Sequence, residues 1–180
     1  INVTIDKEKL FENGLILFNL LSPGSIYYNV HFKGENGTGL GPTQEFFRLF
    51  ALELQKNKHD IWLSDNKEDK EEIAFRKEER GLFPSPSCVS RPDLFFTLGS
   101  LCAKAIEMEV VLPIHFSPSF FNLIRGEPVK LEEVSSFYAK SILNKEGLIG
   151  LPFTLPGQEK IELRNGGKVL VTDEGNVDLY

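Results

Sequence analysis

The side chains able to ligate a metal or attack a carbonyl are Cys88, Cys102, His31, His59 and His115. Zinc is held by three or four converging Cys or His ligands, usually in closely spaced pairs, and these residues form no such pair. No metal site and no cofactor are therefore expected. The nucleophile elbow G-x-S-x-G is absent, and Gly99-Ser100 falls inside a helical pattern rather than after a strand. Cys102 lies on the apolar stripe of that same pattern, where a thiol serves as a small hydrophobe. Nucleophilic catalysis needs an accessible thiolate, which a thiol on that stripe does not offer. Gly34, Gly37, Gly39 and Gly41 lie between a strand pattern and a helix start, where amides can cradle an anion. The segment lacks both the GK[ST] ending and the G-x-G-x-x-G order of nucleotide sites. Pro42 also removes one amide, so a structural turn is the better reading. Trp62, the single tryptophan, is either packed beneath a loop or an exposed protein-binding anchor.

Periodicity supplies the elements that position these groups. From Asp6 to Leu21, Leu10, Leu17 and Leu21 share a stripe flanked by Phe11, Leu15 and Phe18, which is helix spacing. Gly14 weakens that helix by about 1 kcal/mol relative to Ala, and Ser22-Pro23-Gly24 ends it. In IYYNVHF, Tyr28, Val30 and Phe32 alternate with Tyr27, Asn29 and His31, as in a strand. The next helix opens with Pro42 at its first position and buries Thr43, Phe47, Phe50 and Leu54, with Phe46 and Leu49 widening the face. Ser64 to Arg80 holds 12 charged residues in 17, which reads as a solvated face or loop tethered by Ile73 and Phe75. After the Pro-rich link, Ser90 is expected to cap a helix from Pro92 to Glu109 that buries Leu94, Leu98, Leu101, Cys102 and Ala105. The small pair Gly99 and Ala103 should let a neighbour approach closely. VVLPIHF suggests a short extended stretch. Ser117, Pro118 and Gly126 mark the start and stop of a further helix, and another is expected over Ser136 to Leu143. A C-terminal β-hairpin is expected from Ile161 and Leu163 to Val169 and Val171 across Asn165-Gly166-Gly167. Thr172 or Asp173 would cap a last helical turn. The fold class expected is α+β, mostly helical, with short strands and that hairpin.

The chain has 180 residues and a formal charge of −6, with 41% hydrophobic residues and two cysteines. The apolar share is too large for a disordered chain. No run of about 18 apolar residues exists to span a membrane. An acidic balance argues against a surface for nucleic-acid phosphates, whose binding rests on many Lys and Arg contacts. Two cysteines make no disulfide framework, which fits a reducing compartment, cytoplasmic or nuclear. Because the first residue is Ile1, the chain is expected to begin inside a longer protein.

Four segments together resemble the N-terminal lobe of the HECT-type ubiquitin ligase domain. VHFKGENGTGLGPTQEFF is similar to the family's F-x-G-E strand end, glycine turn and [GP]-[VT]-x-E-[FW]-F helix start, through Phe32, Gly34, Glu35, Gly41, Pro42, Thr43, Glu45, Phe46 and Phe47. Phe96, Gly99, Leu101, Ala103, Lys104, Ala105 and Ile106 resemble its F-x-x-[IL]-G-[KR]-[LV]-x-[AG]-[KM]-A-[IL] helix. LPIHFSPSFFNLIRGEPVKLEEV and FTLPGQEKIELRNGGKVLVTDEGNVDLY follow the family's next segments in order. The Phe153-Thr154-Leu155-Pro156-Gly157 form points to the branch of the ubiquitin-fusion-degradation and thyroid-receptor-interacting ligases. The chain departs from the pattern at Ser100, where the family has a basic residue, and at Leu151-Pro152, where it has an Asp.

The resemblance implies that residues 1–180 are a partial N-terminal lobe, its large subdomain. The subdomain that docks the ubiquitin-conjugating enzyme and the C-terminal lobe with the thioester cysteine would lie elsewhere. Neither Cys88 nor Cys102 matches the family's [TS]-C-F-x-x-[LI] loop. The implied parent is a transferase acting with ubiquitin, a ubiquitin-conjugating enzyme and substrate proteins. The fragment itself is expected to be an inactive scaffold, and the alternative is a stand-alone interaction module. Some members bind a second ubiquitin through aromatics near the loop after the Pro42 helix, where His59, Asp60 and Trp62 lie here.

Overall fold

A computed structural model describes residues 1–20, 28–64, 80–135, 150, 152–155, 158–162 and 170. The chain divides into two units. Described residues 1–20, 28–61 and 88–115 form the first, and 62–64, 80–87 and those from 116 onward form the second.

The first unit begins with strand β1 (Asn2–Ile5), which pairs in parallel with β2 (Asn29–Phe32) in the register Val3 to Val30 and Ile5 to Phe32. Parallel neighbours require a crossover connection, and helix α1 (Leu10–Leu20) lies within it. β1 was not anticipated: four residues of alternation are too short to stand out. β2 buries Tyr28 at its foot, Val30 and Phe32, as its alternation predicts. Helix α2 (Leu40–Glu53) buries Thr43, Phe46, Phe47 and Phe50. It starts two residues before the expected Pro42, behind Gly39, whose φ of 84° suits glycine alone. Pro42 still costs no helical hydrogen bond there, because the first four amides of a helix have no internal acceptor.

The core of this unit is a ring cluster. Phe18 of α1 stacks on Phe46 and Phe50 and meets Phe47 and Tyr28 edge-on, with centroids 5.6–6.4 Å apart. Gly14 belongs to this packing. A Cβ there would lie 2.1 Å from the Phe50 ring, so the residue that sequence reading treats as a weak point is what lets α1 seat on α2. Thr43 Oγ1 accepts the Val30 amide at 3.0 Å, tying β2 to α2.

Helix α3 (Pro92–Glu107) buries Leu94, Leu98, Leu101 and Ala105 on the predicted stripe. Asn19 of α1 donates to Thr97 Oγ1 of α3 at 3.1 Å. Three expectations here need correction. Ser90 does not cap α3: it ends a 3-10 turn, Pro86–Ser90, and Arg91 holds the cap position without a side-chain hydrogen bond. Cys102 is half-buried rather than fully interior. Gly99 and Ala103 are exposed, and nothing lies within 4 Å of a Cβ at Gly99. Phe96 and Ile106 are 52% and 79% exposed, so this face presents apolar side chains outward. α3 also stops short of Glu109, which takes φ 56° while Val110 donates back to the Ala105 carbonyl at 2.8 Å. That pair of features is a Schellman closure.

In the second unit, helix α4 (Pro118–Ile124) has the predicted grammar: Ser117 accepts the Phe120 amide at 3.1 Å, Pro118 is first, and Gly126 follows at φ 71°. No strand forms over Val110 to His115, and Phe116 alone bridges Leu82. A one-turn helix, α5, spans Leu131–Val134. Strands β3 (Thr154–Leu155) and β4 (Gln158–Glu162) pair antiparallel. The hairpin expected across Asn165 to Gly167 is not seen among the described residues: β4 pairs with β3, and Leu170 bridges Pro152. The Asn165–Gly167 turn, the Ser136–Leu143 helix, most of the 64–80 charged run and the capped tail all lie outside the described residues. What is described is mostly helical, with a small two-stranded parallel sheet and the short antiparallel pair of β3 and β4.

Candidate functional site

The two thiols are placed in the first unit by a 3-10 turn and by α3. Cys88 is 5% exposed, and its Sγ donates to the Asp60 carbonyl at 3.3 Å. Burial, with Asp60 beside it, pushes this thiol above its ordinary range. Burial does the same to Cys102. A reactive cysteine needs the opposite environment, with cations or a helix N-terminus drawing out the thiolate. Both are therefore held as protonated thiols. No group of three or more His, Cys, Asp or Glu side chains converges among the described residues. Nor is any helix among them long and apolar enough to cross a membrane.

The glycine turn after β2 is built for chain reversal. Gly34 and Gly39 take φ 81° and 84°. Lys7 bridges Glu35 of the turn at 2.6 Å and Glu45 of α2 at 2.9 Å, and its Nζ stands 4.1 Å over the Phe32 ring. One ammonium thus serves two carboxylates, a charge balance that disfavours a bound phosphate.

A denser polar cluster closes α2. Glu53, buried at the last turn, receives Lys56 Nζ at 2.5 Å, Lys58 Nζ at 2.8 Å and His59 Nε2 at 3.1 Å. Burial pushes the Glu53 carboxyl up, but these three partners outweigh it and hold it at about 2. The His59 ring lies flat on Phe11 of α1, with centroids 3.6 Å apart and planes 11° from parallel. Gln55 donates to Ala51 O and Pro113 O, both at 2.8 Å, tying the segment after α3 to the same end of α2. Sequence reading weighs His59 only as a ligand or a neighbour of a binding loop. The available signal was the spacing of Lys56, Lys58 and His59 after an acidic residue on an otherwise apolar helix face.

In the second unit Trp62 is 1% exposed. Its ring packs against Phe116 at 5.9 Å and edge-on against Phe120 at 6.2 Å. Its backbone bridges Pro84, and Leu63 donates to Phe83 O at 2.8 Å. Of the two readings of this residue, packing is the one its surroundings match. Phe116 and Phe120 in turn support Phe121, which is exposed on α4 with Leu123 and Ile124.

Residues 41–180 match the HECT domain (ubiquitin-transferase) family. The chain is 31% identical over 206 residues to a probable ubiquitin fusion degradation protein of Schizosaccharomyces pombe, covering 99% of this chain and 12% of that protein. It is 27% identical over 230 residues to the E3 ubiquitin-protein ligase TRIP12 of Danio rerio, covering 98% of this chain and 11% of that one. Against ubiquitin fusion degradation protein 4 of Saccharomyces cerevisiae the identity is 25%, over 98% of this chain and 14% of the relative. The chain thus spans only a small part of the relatives it matches. Matched over residues 41–180, most of its length, the chain belongs to the HECT-domain family of ubiquitin transferases.

Proposed function

We propose that this chain is the large, scaffolding part of a HECT N-terminal lobe. It holds a conjugating-enzyme dock and a catalytic lobe, both supplied by other parts of a longer ligase, at a separation that makes ubiquitin transfer effectively intramolecular. Ubiquitin passes through a cysteine thioester to substrate lysines in such a parent, and these 180 residues contribute framework rather than the nucleophile. The setting is cytoplasmic or nuclear. The observation that carries this reading is the state of the two thiols within a chain that matches the family over residues 41–180: one is interior and donating to a carbonyl, and both are raised by burial. Trp62 serves protein contact as a positioning residue, holding Phe116 and Phe120 beneath the outward Phe121 rather than touching a partner itself.

Incubation of the chain with activating enzyme, charged conjugating enzyme and ubiquitin tests the reading. No thiol-reducible ubiquitin adduct is expected on non-reducing gels. An adduct that vanishes in Cys88→Ser or Cys102→Ser would overturn it.

A further inference from the structure

We infer that the Glu53–His59 cluster is an acid-released latch that fastens the turn after α2 to α1. Neutral His59 closes it in two ways: Nε2–H donates to Glu53 Oε1, and the ring lies flat on Phe11. The carboxylate it meets is already engaged by two ammonium groups, Lys56 at 2.5 Å and Lys58 at 2.8 Å. One negative charge therefore faces two positive ones before the imidazole is charged at all. A proton on the second ring nitrogen adds a third positive charge in a setting where the His59 side chain is only 12% exposed. Little water reaches the ring to screen it. The charged groups that act on the ring are Glu53 from α2 and Lys56 and Lys58 from the turn, while α1 presents the uncharged face of Phe11. The turn also carries His59 N–H to Lys56 O at 3.2 Å, Asp60 N–H to Asn57 O at 3.0 Å and the Cys88 thiol on Asp60 O at 3.3 Å. Asp60 at its exit takes the left-handed φ of 48°.

The direction follows from where the proton is preferred. Burial holds the closed ring below its ordinary value of 6.5. The hydrogen bond to Glu53 opposes this, and Lys58 and Lys56 add to it. The released ring titrates near 6.5 and so takes up the proton first. The latch is fully closed above that pH and loosens as pH falls below it, until the closed form is itself protonated.

Hydrogen exchange of the intact 180-residue chain from pH 7.5 to 5.5, corrected for the intrinsic pH dependence of exchange, tests this. Opening at the His59 and Asp60 amides should rise several-fold, limited to about tenfold per pH unit for a single proton. The Leu54 amide, bonded to Phe50 O at 3.0 Å at the C-terminal cap of α2, should not follow. His59→Gln keeps a neutral donor for Glu53 and should abolish the pH dependence. A flat profile in the native chain, or an unchanged one in His59→Gln, overturns the latch. Should His59→Gln fail to fold, the ring itself decides: an NMR titration midpoint below 6.5 in the native chain supports the latch, and one at or above it overturns it.

Discussion

The two units hold aromatic cores of opposite design. In the first, Phe18, Phe46, Phe47 and Phe50 come from two helices whose apolar residues recur at 3.6-residue spacing, and Tyr28, just before β2, joins them in step with the strand's alternation. In the second, Trp62, Phe116 and Phe120 come from an isolated bridge, a loop and the first turns of a seven-residue helix. Rings meet at similar distances in both. The difference is in what holds them: long elements fix many side chains at once, whereas irregular segments are fixed one bridge at a time. The first core could be anticipated from its period, and the second shows that burial does not require one.

The largest expected effect places the two cores on one scale. Trp62→Ala and Phe47→Ala should each cost about 3–5 kcal/mol in urea unfolding followed by far-UV circular dichroism. A cost below about 1 kcal/mol for Trp62→Ala would mean that the second cluster is contact without a core. Gly14→Ala then sharpens the account of the first core. Helix propensity alone predicts stabilisation of about 1 kcal/mol. The Phe50 ring at 2.1 Å should reverse the sign, to a net loss of about 1–3 kcal/mol. A gain would show that α1 and α2 are not seated against each other as described. The smallest effect is expected at the end of α3. Glu109 sits at φ 56° where a left-handed backbone favours glycine, so Glu109→Gly should stabilise by about 1 kcal/mol, read as a rise in Tm.

Legibility in the sequence followed the same divide. α1, α2, α3 and α4 were each visible because their apolar residues repeat at the helical period or because Ser117, Pro118 and Gly126 punctuate them. β1 was not, since four residues give too few alternations and its pairing partner lies 27 residues on. Ser90 has the right chemistry for a cap and stands in a convincing place, yet the 3-10 turn before α3 takes it instead. Gly99 and Ala103 have the spacing of a close helix contact, but spacing along a helix says nothing about whether anything stands opposite. The Glu53 cluster was hidden for a related reason. An acidic residue in an apolar helix face reads as a blemish until Lys56, Lys58 and His59 are seen to fold back onto it.

Family membership rests on the chain of residues itself. The strand end at Phe32, the glycines, the Pro42-Thr43 helix start and the α3 pattern, in that order, point to the family that residues 41–180 match, because the order and spacing of residue types are properties of the linear chain. Tertiary structure alone decided which of those residues carry a second duty. Gly14 became a seat for a ring, Thr43 an acceptor for a strand amide, Trp62 a buried support and His59 a latch. These roles depend on atoms brought together from distant positions, and a linear pattern encodes the face a side chain takes but not the partner waiting there.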